Sequence, residues 1–222
     1  MKALSVIVLI AVSIRGSLAQ DVKGTYWSSQ SDGGGCQVPE SAYTITDAVA
    51  LGQGHALGNL IYRPGLCGQV VDVSCNSNIT FPAVIVSTCN IGSDSCGIDM
   101  IGKTWNKATN NAQPGIVGCS VALSTQNPLP GSAHQCFHRT GSAQDGYSRI
   151  LGVLNTGGEI PASATLAGRP GTFSNGAWFE FNAGGQNLFV DDAVVVFTYE
   201  SGQTSTFNLS NCTPPSSVQI FS

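Results

Sequence analysis

Charge is scarce in this sequence. Asp, Glu, Lys and Arg make up 10% of its 222 residues, with 9 Lys and Arg against 13 Asp and Glu. Such a surface lacks the clustered cations that steer a protein onto a phosphate backbone, so nucleic acid is not an expected partner. No apolar run reaches the roughly 20 residues of a membrane-spanning helix, so neither an anchor nor a membrane partner is expected. The cysteines form no C-x-x-C pair and have no matching histidine spacing, which argues against zinc or another metal. The dinucleotide fingerprint is missing, because Gly52 and Gly54 are followed by Gly58 at the wrong spacing. The G-x-S-x-G elbow of serine hydrolases is also absent. No cofactor is expected.

What is present points outside the cell. Lys2, an apolar run over 3–12, and the small residues Ser17 and Ala19 before Gln20 have the layout of a secretory signal peptide over 1–19, although Arg15 lies unusually close to the cut. Without Lys2 and Arg15 the formal charge moves from −4 to −6. All eight cysteines lie in the remaining chain: Cys36, Cys67, Cys75, Cys89, Cys96, Cys119, Cys136 and Cys212. An even count in an exported chain predicts up to four disulfides. Three sequons begin at Asn78, Asn208 and Asn211 and are expected on the surface. The scarcity of ions, with Gly, Ser, Thr and Asn in their place, suits neutral sugars. A secreted, monomeric glycoprotein in the extracellular space or cell wall is expected.

Strand signals dominate. Residues 70–75 alternate, 83–86 form a β-branched run entered through Pro82, and 150–154, 178–181 and 194–199 are apolar or aromatic runs bounded by Gly, Asn and Ser. Two short stretches predict helix. Residues 46–51 open with Thr and Asp and stop at Gly52, and 98–108 space Met100, Ile101, Trp105 and Ala108 helically, with Gly102 as a flaw. The bland, Pro-containing stretch 123–135 reads as a linker between domains at 22–122 and 136–213. Cys136 and Cys212 sit where one disulfide would clasp the ends of a β-sandwich. The other six cysteines then pair among themselves, in a connectivity the spacing leaves open.

A series of landmarks runs in order through the first domain: Gly24-Thr25-Tyr26-Trp27, Gly35-Cys36, Ala48-Val49-Ala50, and Cys67-Gly68 leading into Val71-Asp72-Val73-Ser74-Cys75. Val84-Ile85-Val86-Ser87-Thr88-Cys89, Gly97-Ile98-Asp99-Met100 and Gly115-Ile116-Val117-Gly118-Cys119 follow. In this order they resemble the expansins and expansin-like proteins. Leu154-Asn155, Gly157-Gly158, Gly176-Ala177-Trp178 and Gly202-Gln203-Thr204 extend the resemblance over the second domain. It implies a mainly β chain: a six-stranded double-psi β-barrel followed by an immunoglobulin-like, carbohydrate-binding β-sandwich. It also implies a protein that loosens wall polysaccharide, cellulose or a related glucan, without hydrolysing it.

The resemblance assigns a groove carboxylate to Asp99, on a loop before the last barrel helix. The local reading is compatible, since Ile98 and Met100 would partly desolvate the carboxylate and raise its pKa. The alternative is a helix cap for 101–107. Thr25, Tyr26 and Trp27 match groove-lining positions, although Tyr26 and Trp27 also suit a barrel core. Where a second aspartate often stands in the family, this chain has Ser87. Glycoside hydrolysis normally needs two carboxylates, so the site reads as non-hydrolytic unless Asp94 or Asp72 substitutes. In the sandwich, Tyr147 and Trp178 match aromatic positions whose flat rings pack on sugars, but the residues after Tyr147 are Ser148 and Arg149. Phe179, Phe181, Phe189 and Phe197 alternate as core. His134 and His138, four apart, read as part of a solvated loop. A glucan hydrolase and a barwin-like or cerato-platanin-like binding module stand as alternative readings.

Overall fold

The computed structural model describes residues 19–28, 34–76, 79–89 and 96–213. The segment read as a signal peptide lies outside them up to residue 18, as do Asn78 and Asp94.

Six strands close the barrel: β1 (Gln20–Trp27), β2 (Ala48–Leu51), β3 (Val70–Ser74), β4 (Thr80–Thr88), β5 (Ile98–Ile101) and β6 (Ile116–Leu123). Their order around it is β1-β5-β2-β4-β3-β6. The β1–β5 and β2–β4 pairs are parallel and the remaining pairs antiparallel. Advancing every strand by three in chain order reproduces the same neighbours and the same directions. This internal two-fold relation is that of the expected double-psi barrel.

Closure leaves no free sheet edge and turns alternate side chains inward. Val49, Leu51, Val71, Ile85, Ile98, Met100 and Val121 are all fully buried. Gly24 is obligatory on β1, because a Cβ there would lie 2.5 Å from Cys119 Sγ and 2.8 Å from Met100 Cε. Pro82 falls where β4 pairs only with β3, a position that tolerates a missing N–H.

Both helix expectations need correction. Residues 48–51 are strand β2, every residue of it buried. A short, wholly apolar run has no periodicity to separate strand from helix. Residues 98–101 are strand β5, and the helix α1 spans Gly102–Thr109, so Gly102 opens it instead of flawing it.

The sandwich faces a sheet of β10 (Arg169–Pro170), β9 (Pro161–Leu166), β13 (Val194–Tyr199) and β14 (Thr204–Asn208) against one of β11 (Thr172–Phe173), β12 (Trp178–Asn182), β8 (Ser148–Leu154) and β7 (Gln135–His138). Phe179, Phe181, Phe189 and Phe197 are buried between the sheets, as expected. The disulfides are Cys36–Cys67, Cys75–Cys119, Cys89–Cys96 and Cys136–Cys212. The clasp across the sandwich therefore forms, and the other six cysteines pair among themselves.

The stretch between β6 and β7 is held against both domains. Leu129 is buried. Its amide donates to Asn155 Oδ1 over 2.9 Å, while Thr44 Oγ1 and the Thr44 amide both donate to the Pro128 carbonyl. Direct bonds join the domains too. The Ala177 amide donates to the Cys36 carbonyl and the Trp178 indole to the Gln37 carbonyl. Gly176, at φ 63°, lies so close that a Cβ would sit 1.8 Å from the Cys36 oxygen.

Candidate functional site

Alternation along β5 decides where Asp99 points. Ile98 and Met100 are fully buried inside the barrel, so Asp99 between them faces outward, half-buried. The register of three neighbouring pairings then aligns four residues. Thr25 on β1 pairs with Asp99 on β5, Asp99 with Ala50 on β2, and Ala50 with Ser87 on β4. A row Thr25–Asp99–Ala50–Ser87 thus crosses the outside of the barrel.

The Thr25 hydroxyl stands 2.9 Å from Asp99 Oδ1 and donates to it, with the Ile98 carbonyl at 3.3 Å. Burial pushes the Asp99 carboxyl above its ordinary pKa, and the Thr25 hydroxyl and the Met100 amide partly offset the rise. The capping alternative is removed: Ile101 occupies the N-cap of α1, without a side-chain cap. Asp99 also belongs to a strand and not to a loop before the helix.

At the far end of the row, Ser87 is 8% exposed and its Oγ accepts the Gly35 amide over 2.9 Å. Among the described residues no second carboxylate belongs to the row. Asp47 is buried against α1, 2.6 Å from Lys107 Nζ and 3.3 Å from Thr104 Oγ1. Asp72 lies on β3, which does not touch β1, β5 or β2, and it meets Gln126 Nε2 at 3.4 Å.

The aromatic candidates separate by face. Thr25 and Trp27 share one face of β1, and Trp27 is half-buried. Tyr26 turns the other way, edge-on to Trp105 with ring centroids 6.0 Å apart. Tyr147 is 51% exposed at the start of β8. Trp178 is a correction: it is 1% exposed, packed with Leu129, Phe137 and Leu154, and its indole N–H is held by Gln37 at 2.6 Å. Its ring fills the junction between domains and offers no face to a sugar. The outer face of β8 and β12 beyond it carries Ser148, Ile150, Glu180 and Asn182.

Asn208 and Asn211 are exposed. The two histidines do not lie in a solvated loop. His138 is buried in β7, and His134 Nδ1 bonds the Ser205 hydroxyl and meets Tyr199 Oη at 3.0 Å. No group of three or more His, Cys, Asp or Glu side chains among the described residues is placed to hold a metal. Sequence reading missed Ala50 and Gly35, which only the register and the return of the chain bring to the row. The run of glycines before Cys36 was the available signal.

No protein-family model matches the sequence, and no curated protein sequence matches it significantly. Solved structures do match. The apo expansin of Clavibacter michiganensis aligns over 92% of this chain and 99% of its own, at 17% identity and a TM-score of 0.65. A mutant of the Clavibacter michiganensis expansin in complex with cellohexaose aligns over 86% and 90%, at 18% identity and a TM-score of 0.64. At these identities the likeness is one of architecture. The chain has the barrel-and-sandwich fold of the expansins.

Proposed function

We propose that the protein is exported, binds a wall polysaccharide of the cellulose or related glucan class along the Thr25–Asp99–Ser87 row, and loosens it without cutting the chain. The observation that carries the reading is that Asp99 is the one carboxylate of the row among the described residues. Two strand spacings, about 9–10 Å between backbones, separate Asp99 from the Ser87 position, near the upper end of the roughly 6.5–9.5 Å at which an inverting glycosidase holds its second carboxylate, the general base. Ser87 stands there instead, its hydroxyl engaged by Gly35. Among the described residues, acid–base cleavage lacks a partner on this row. A carboxyl of raised pKa, hydrogen-bonded to Thr25, instead exchanges hydrogen bonds with sugar hydroxyls and competes with those between neighbouring chains.

The fold neighbour in complex with cellohexaose supports a glucan ligand. The four disulfides suit an oxidising compartment, and no helix among the described residues is long and apolar enough to cross a membrane. Tyr147, exposed on the sandwich, is proposed to add an aromatic face to the bound chain.

The test is a wall-extension assay run beside a reducing-sugar assay. Extension without new reducing ends, lost in Asp99→Asn, supports the proposal. Release of reducing ends selects a glucan hydrolase, and retention on polysaccharide without extension selects a simple binding module.

A further inference from the structure

Beyond Asp99 the outer face of β5 continues to Ile101, and Ile101 lines a cavity of about 500 Å³ with Tyr26, Trp105, Asn106, Asn111 and Gln113. A second cavity, of about 660 Å³, shares Asn106 and Asn111 with the first and adds Asn76 and Asn110. Five primary amides therefore line two adjoining cavities, the first meeting β5 at Ile101, two residues along from Asp99. None of these five side chains makes a hydrogen bond within the described residues. The cations at the rim are engaged: Lys103 Nζ donates to Thr46 Oγ1 and Lys107 Nζ to Asp47, both at 2.6 Å.

A depression lined mainly by free amides, with Tyr26 in its wall, matches one ligand chemistry. A primary amide donates and accepts at once, as a sugar hydroxyl does, so paired hydroxyls satisfy it without a net charge. Tyr26, partly buried in the wall, supplies apolar edge for the C–H faces of the rings, with Trp105 buried behind it. Asn110 and Asn111 are both left-handed, at φ 56° and 61°, and the Asn111 amide donates to the Asn106 carbonyl. This turn sets the three amides around the end of α1.

We infer that this depression is an additional subsite for a neutral polysaccharide chain, continuing the track that passes Asp99. The inference rests on the glucan-binding reading above and adds where along the barrel the chain extends. Asn106 and Asn111, common to both cavities, are its central contacts.

The test is an NMR titration of the full chain with cellohexaose, following the side-chain NH2 signals of Asn106 and Asn111 and the backbone amides of Thr25 and Asp99. Both sets shifting with one Kd is the expected result. Thr25 and Asp99 shifting while the asparagine amides stay fixed overturns the subsite and leaves the functional reading intact. Movement of neither set overturns both. As a second readout, Asn106→Ala combined with Asn111→Gly, which keeps the left-handed backbone accessible, weakens cellohexaose binding about tenfold and leaves cellobiose binding unchanged. Equal loss for both ligands, or for neither, counts against the extended track.

Discussion

The Gly35 amide donates to Ser87 Oγ over 2.9 Å, and in the same turn the Cys36 carbonyl accepts the Ala177 amide. The end of the Asp99 row is thereby bonded to the segment that meets the sandwich. Ser87→Ala removes the acceptor while Gly35 remains open to water, so the cost is about 1 kcal/mol in denaturant unfolding. The larger effect falls on extension activity, because the turn beside the row loses its anchor.

Asp99→Asn is expected to abolish wall extension while making the protein no less stable at neutral pH. In the folded chain this carboxyl holds its proton above the ordinary value. Between the unfolded pKa of 3.8 and the raised folded one, the folded state therefore binds more protons. Stability from this group is present below 3.8 and is lost as pH rises through the raised value. The Asn variant lacks that slope, which thermal unfolding across the acidic range measures. A variant that unfolds more readily at neutral pH would show that the carboxylate is structural.

His138 gives the opposite slope. It is buried on β7, and its Nδ1 has no partner among the described residues. Burial, then the neighbouring Arg149 guanidinium, push its pKa below 6.5. Below 6.5 the unfolded chain takes up the proton first, so stability falls as pH drops from 6.5 through the lowered value. His138→Leu flattens this part of the stability curve, measured as Tm against pH. An unchanged slope would assign the acid sensitivity to other groups.

Two aromatics of the sandwich separate packing from recognition. Trp178→Ala opens a cavity at the domain junction and orphans the Gln37 carbonyl, costing about 3–5 kcal/mol of stability. Tyr147→Ala removes an exposed ring and leaves stability within about 0.5 kcal/mol. It should nonetheless reduce retention on insoluble glucan. Equal retention of Tyr147→Ala and the parent protein would remove the sandwich from the binding surface.

The strands with alternation or β-branched runs were legible in the sequence, as were the disulfide bonding of the cysteines and the clasp from Cys136 to Cys212. The ordered landmarks supplied the architecture. Residues 46–51 misled because Thr46 and Asp47 imitate a helix start, whereas Asp47 is bonded to Thr104 and Lys107 of α1. Trp178 misled because a Gly-x-Trp pattern carries no information on which way the ring turns. The row itself was not legible. Thr25, Ala50, Ser87 and Asp99 lie on strands distant in the chain, and only the pairing register brings them together. Asp99 was found by resemblance, and its bond to Thr25 by geometry alone.

The turn at Gly34–Cys36 is also tied by a disulfide to Cys67, close to Gln69, whose side chain receives the Thr156 hydroxyl from the other domain. Across the same junction Arg63 meets Glu200 at 2.7 Å. The two halves are thus anchored to each other on several lines at once. On the proposed reading, tension on a fibre gripped by one half is expected to pass to the other through these bonds, so that barrel and sandwich act on the polysaccharide as one body.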